Sequence, residues 1–195
     1  MIDNLDSNKL KESIEAEAIK RLENLSSIPV PQYKLLILAV YLNLKLASEF
    51  HTDFLENPEE VSAEIKDILK SLGLFYEVSE ANYDQKNPNL ISLSFLVSKN
   101  QKLLKDKQPK FGEQDYYLKQ GQLFGYPLSA IEGFKNKESL NDDNLPIELT
   151  DEDKRFMFFA LSKNNWREEV KWLREIESAI KTLSPVIYDQ IMNYK

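Results

Sequence analysis

Leu74-Phe75-Tyr76-Glu77-Val78-Ser79-Glu80 and, after a polar interval, Leu90-Ile91-Ser92-Leu93-Ser94-Phe95-Leu96-Val97 depart from the helical periodicity of the rest of the chain. Both runs are rich in aromatic and aliphatic residues with partial alternation, which is the pattern of β-strands. The interval contains Asn82, Asp84, Asn87, Pro88 and Asn89, so it reads as a turn region and the strands pair as an antiparallel hairpin. Two strands alone are marginally stable and have to pack on helices. The expected class is therefore α+β, predominantly α-helical, with a two-stranded antiparallel β-hairpin and a C-terminal helical pair on the same core.

Upstream, Asn57-Pro58-Glu59-Glu60 places an N-cap residue, a first-turn proline and two acids where a helix begins. Val61, Ile65, Ile68, Leu69 and Leu72 give that helix its buried face, and Gly73 falls at the C′ position. Helix followed by glycine and hairpin is the order of a winged-helix-like arrangement. A first helix is expected over 7–25, where Leu10, Ile14, Ala18, Leu22 and Leu25 share a face, ended by Pro29 and Pro31. Residues 32–50 are apolar nearly all round and are read as one central helix. Its run Leu35–Leu46 is interrupted by Asn43 and Lys45 and is shorter than the roughly 20 residues of a bilayer span, so no membrane partner is expected.

Downstream, residues 99–110 are expected to be helical at first and then loop. Four of the five glycines follow between 112 and 133. One helix should run to about Phe124, break at Gly125-Tyr126-Pro127, and resume as a short helix over 128–134. Residues 135–149 read as an exposed connection. A helix starts at Thr150-Asp151-Glu152-Asp153 and breaks at Asn164-Asn165. A long helix then carries Trp166, Val170, Leu173, Ile176, Ile180, Leu183 and Ile187, interrupted at Ser184-Pro185. The organisation is that of one domain over 1–195, with sub-regions 1–134, 135–149 and 150–195.

At 195 residues, 42% hydrophobic and 29% charged, the chain is too apolar for wholesale disorder. Its net charge of −7 disfavours non-specific affinity for nucleic acid or anionic membrane. With no cysteine, disulfides, thiolate nucleophiles and cysteine metal sites are excluded. Met1-Ile2-Asp3-Asn4-Leu5-Asp6 is acidic and polar, unlike a secretory signal, and the expected location is cytoplasmic.

The order helix, Leu72-Gly73-Leu74-Phe75-Tyr76, strand ending Val97-Ser98-Lys99-Asn100, and then Gly121-Gln122-Leu123-Phe124-Gly125-Tyr126-Pro127 covers about a third of the chain. It resembles an uncharacterised family of archaeal and other prokaryotic proteins with a G-x-L-x-G-Y-P segment. In that family a cysteine often follows Tyr-Pro, whereas Leu128-Ser129-Ala130 stands here. The resemblance implies a shared shape and supplies no reaction.

Gly121, Gly125, Tyr126, Pro127 and Ser129 are the candidate ligand- or partner-binding residues, because a broken helix leaves free N–H groups at the start of the next one. The plainer reading is a tight corner in which the glycines permit packing and Tyr126 plugs the core. Lys99, Lys102, Lys105, Lys107 and Lys110 lie near Phe111, Tyr116 and Tyr117 and are the nucleic-acid candidates. A solvated charged face explains them as well, and the acidic helix of Glu59, Glu60, Glu64 and Asp67 suits a nucleic-acid groove poorly. His51, the only histidine, stands in His51-Thr52-Asp53 as a candidate metal ligand or general base beside a carboxylate, and its place just beyond the apolar helix favours a contact with the helix dipole instead. Asp142, Asp143, Glu148, Asp151, Glu152 and Asp153 lack the spacing of a calcium loop and serve capping and solubility. Phe156, Phe158, Phe159, Trp166 and Trp172 are expected in the core, with part of the set open to a partner.

No catalytic constellation, cofactor motif or metal-ligand spacing emerges. The expectation is a non-enzymatic protein-binding or regulatory module that engages a protein partner or a second copy of itself. A nucleic-acid module using the lysine segment and a metal- or carboxylate-dependent enzyme are the alternatives.

Overall fold

A computed structural model describes residues 3–83, 86–87, 90–106, 109 and 112–194. Helix α1 (Asp3–Asn24) leads to α2 (Pro31–Tyr41), strand β1 (Ala47–His51), α3 (Pro58–Ser71) and the strands β2 (Phe75–Tyr83) and β3 (Ile91–Ser98). The short α4 (Gln101–Asp106) precedes α5 (Tyr116–Phe124) and α6 (Leu128–Lys135). A 3-10 turn (Asp142–Asn144), α7 (Asp151–Phe156), α8 (Trp166–Leu183) and α9 (Pro185–Asn193) complete the order. The α+β, mostly helical class holds, and the hairpin and C-terminal helical pair are present. Among the described residues no helix is long and apolar enough to cross a membrane.

A third strand joins the hairpin, giving an antiparallel sheet in the order β1-β3-β2. It comes from residues read as the end of a helix over 32–50, and that reading is corrected here. Helix α2 stops at Tyr41 because Asn43 takes a left-handed conformation with φ 60°. Its N–H donates to Val40 O (3.0 Å) while Leu44 N–H donates to Ala39 O (2.9 Å), a Schellman closure built on asparagine instead of glycine. The chain then emerges extended, and Phe50 pairs with Phe95 with their rings stacked at 5.1 Å. A largely apolar run fits a buried strand as well as it fits a central helix, so periodicity alone does not separate them.

The main core gathers α1, α2, α3, α8 and α9 against one face of the sheet, with Leu35, Ile37, Leu38, Phe50, Ile68, Phe95 and Ile180 among its fully buried members. The other face of β3 presents Ser92, Ser94, Leu96 and Ser98. Leu96 packs with Ala47, Leu104, Leu123 and Phe124, which seats α4 and α5 on the sheet. The serines close local bonds: Ser98 Oγ donates to Leu46 O (2.7 Å) and Ser92 Oγ to Thr52 O (2.8 Å). Those bonds fix the route of the chain on either side of β1.

Gly73 closes α3 as expected, with Leu74 N–H donating to Leu69 O (2.8 Å). Asn57 stands at the N-cap of α3, but its side chain makes no capping bond. Thr150 does cap α7, forming a reciprocal box with Asp153. That helix ends at Phe156, well before Asn164-Asn165, and residues 157–160 run without regular structure. His51 lies on the edge strand β1, edge-on to Tyr33 at 5.9 Å, and not at a helix C-terminus.

Candidate functional site at the α5–α6 corner

Helix α5, the Gly125-Tyr126-Pro127 break and α6 lie where the sequence pattern puts them. Gly121 sits on the α5 face that meets α6, and a Cβ there would stand 2.8 Å from Ile131 Cγ1. Two helices joined by so short a link pack this closely only if one contact residue has no side chain. Gly125 has φ +69°, and Tyr126 N–H donates to Gly121 O (3.0 Å), so the helix ends in a second Schellman closure. Pro127 then starts α6, its carbonyl accepting from Ala130 N–H at 3.0 Å. Both glycines therefore have packing reasons, and Tyr126 is turned into an aromatic cluster.

Tyr126 stacks on Phe159 at 5.3 Å and meets Phe124 and Phe158 at 5.8 and 6.1 Å. Trp172 of α8 closes the group edge-on to Phe158 and Phe159 at 5.9 and 5.6 Å. Burial pushes the Tyr126 hydroxyl up to about 12, so it stays protonated at neutral pH.

The cation inside this box is Lys45, from the connection between α2 and β1. It is 4% exposed, and its Nζ donates to Phe124 O at 3.1 Å. The amine stands 4.1 Å from the Tyr126 ring centroid, 4.7 Å from that of Phe158, and 5.9 and 6.0 Å from those of Phe124 and Trp172. Burial pulls its titration down to about 7. Ring faces and a carbonyl at the negative end of α5 act in the opposite direction, favouring the ammonium. Burial is the larger effect, because an ammonium removed from water without a carboxylate partner loses more than such contacts return.

Ser129 is occupied structurally. Its Oγ donates to Glu169 Oε1 (2.6 Å), and Ser162 N–H and Oγ donate to the same carboxylate at 2.7 and 2.6 Å. Glu169 is 1% exposed, and these bonds tie the start of α6 to the first turn of α8.

Outside the box the corner is open. A cavity of about 190 Å³ lies between α5, α6 and Phe159, with Tyr117, Gly121, Tyr126, Ile131 and Phe134 in its wall. A shallower one of about 650 Å³ adjoins it, sharing Tyr117 and Phe134 and rimmed by Glu113, Asp115, Lys135 and Lys137. Tyr117 and Phe134 are 58% and 49% exposed, and their rings meet edge-to-face at 5.3 Å on the border of the two cavities. A third cavity, of about 400 Å³, has Lys45, Leu46, Tyr126 and Leu128 in its wall.

Lys99, Lys102 and Lys105 line none of these three cavities. Lys99 stands over the Tyr41 ring at 5.0 Å, and Lys102 and Lys105 are exposed on α4. Lys107 and Lys110 lie outside the described residues. Among the described residues no group of three or more His, Cys, Asp or Glu is arranged to hold a metal ion.

Sequence reasoning located the corner but missed Lys45, which it read as an interruption of an apolar helix. The available signal was a single cation set between Leu44 and Leu46 just after a helix-ending asparagine. Comparison with protein-family models, with curated proteins and with solved structures finds no match.

Proposed function

We propose that the chain is a protein-binding module and that the α5–α6 corner is its docking surface. The observation that carries this reading is the exposed Tyr117–Phe134 pair at the junction of the two cavities. Large aromatics left in water beside a preformed apolar cavity favour a partner that buries them. A cavity of about 190 Å³ accommodates one aromatic or branched aliphatic side chain. On the rim, Lys135 pairs with Asp115 (3.2 Å) and Lys119 with Glu113 (3.1 Å), while Lys137 forms no ion pair among the described residues. The fitting partner is a peptide segment that inserts one apolar anchor and carries an acidic residue beside it.

The rigid frame supports the same reading. Gly121, the Schellman closure at Gly125 and the Glu169 bonds hold α5 and α6 in one geometry, so binding pays little ordering entropy. The test is affinity capture from nuclease-treated cell extract, with wild type compared with Tyr117→Ser and Phe134→Ser. A protein retained by wild type and lost by both variants supports the reading. Equal retention by all three overturns it, and nucleic acid whose loss on digestion removes the partners transfers the function to Lys99, Lys102 and Lys105.

A further inference from the structure

Lys45 is one of two buried lysines among the described residues, and the two differ in kind. Lys34 Nζ donates to Glu23 O at 2.9 Å and reaches Gln190 Oε1 at 3.4 Å, a polar setting that explains its burial. Lys45 has the Phe124 carbonyl and otherwise ring faces. A desolvated amine in an apolar site is the state in which lysine acts as a nucleophile toward carbonyl carbon.

A cavity adjoins the box, and Tyr126 lines both. The cavity of about 400 Å³ runs between the α2–β1 connection and the corner, with Lys45 and Tyr126 in its wall. Leu46 and Leu128, 55% and 58% exposed, stand at it from either side.

We propose that Lys45 is a site of reversible imine formation with a small apolar aldehyde or ketone that enters this cavity. The Nζ lone pair attacks the carbonyl carbon, and the carbon–oxygen π pair moves to oxygen. One proton passes from nitrogen to that oxygen to give the carbinolamine; the hydroxyl takes up a second proton and leaves as water while the nitrogen lone pair closes the C=N bond, and loss of the remaining N–H proton replaces the one taken up. Amine plus carbonyl gives imine plus water, with no oxidant or reductant. When the imine is protonated, its cation keeps the Tyr126 and Phe158 faces that now meet the ammonium. Exclusion of water from the box slows hydrolysis of the adduct.

Titration agrees with the geometry. With Lys45 at about 7, the neutral amine is roughly a thousandfold more abundant at pH 7 than on an ordinary exposed lysine. The groups that face the amine are Phe124 from α5, Tyr126, Phe158 and, from α8, Trp172. Of these only Tyr126 titrates, and it stays protonated through this range.

The test incubates the full chain with benzaldehyde and cyanoborohydride, which reduces any imine to a stable benzylamine, and maps the adducts by mass spectrometry. The expected result is saturable labelling of Lys45 that rises as pH passes through about 7 and exceeds labelling of exposed lysines such as Lys163. Leu128→Trp, which fills the cavity mouth, should slow labelling of Lys45 on the order of tenfold while leaving Lys163 unchanged. Labelling of Lys45 no faster than of exposed lysines, or an unchanged rate in Leu128→Trp, overturns the proposal. The decisive measurement is made on the wild-type chain and does not depend on the folding of a variant.

Discussion

Lys45 Nζ stands 4.1 Å from the centroid of the Tyr126 ring, so the middle residue of the α5–α6 break rests on a cation supplied by the α2–β1 connection. This relationship couples the sheet, whose β1 begins two residues after Lys45, to the corner that carries the exposed aromatic pair. It also places an ammonium without a carboxylate partner in the interior, and that has measurable consequences.

Lys45→Met keeps the volume and removes the charge. Replacing a buried charge with a well-packed apolar side chain is neutral or stabilising by about 1–4 kcal/mol, so this variant is expected to equal or exceed wild type at pH 7. Lys45→Ala leaves a void among Tyr126, Phe158 and Trp172 and is expected to lose about 2–5 kcal/mol. Urea unfolding of the three proteins checks both outcomes.

The same residue sets a pH dependence. Its folded value of about 7 lies below the ordinary 10.5, so between these the unfolded chain binds more protons. Stability relative to Lys45→Met therefore rises as pH increases from about 7 toward 10, and a flat difference between the two proteins would contradict the burial of this amine.

On the opposite side of α8, two carboxyls titrate in opposite directions. Asp153 is held down to about 2 chiefly by the paired bonds from Arg174, at 2.7 and 2.8 Å. Its contribution is present above about 4 and lost as pH falls toward 2, and Asp153→Ala should cost about 1–3 kcal/mol at neutral pH through loss of the cap and the Arg174 bonds. Glu177 is pushed up to about 7 by burial and by its hydrogen bond with Glu152, which also accepts from Tyr188 Oη. The folded state binds the extra proton between about 4.5 and 7, so stability falls as pH rises through that window. Glu177→Gln should remove this slope in unfolding curves recorded from pH 5 to 7.

Gly121→Ala adds a Cβ 2.8 Å from Ile131 Cγ1. Alanine favours a helix by about 1 kcal/mol over glycine, but overpacking costs about 1–3 kcal/mol, and the contact is expected to win. Ile131→Ala in the same chain removes the opposing atoms, so the double variant should lose less than the sum of the single ones. Additive losses would show that the α5–α6 approach is not set at this contact.

Much of this arrangement was legible in the sequence because it rests on local chemistry. Gly73, Gly125-Tyr126-Pro127, Thr150 with Asp153, and Ser184-Pro185 each bound an element through a cap or a fixed dihedral. Strand β1 was hidden because Leu44 to Phe50 is apolar enough for either a buried helix or a buried strand, and the deciding residue, Asn43, enters the left-handed region less often than glycine does. The site was half legible for a related reason. Glycine and proline marked the corner, but the Lys45 box assembles from segments near 45, 126, 158 and 172, and long-range proximity leaves no mark on spacing.

The proposed docking surface at the corner is tested most directly by hydrogen exchange on the wild-type chain with and without any protein that the affinity capture recovers. Slowed exchange confined to residues 112–139 is the expected result. Protection on α3 and α4, with 112–139 unchanged, would contradict it.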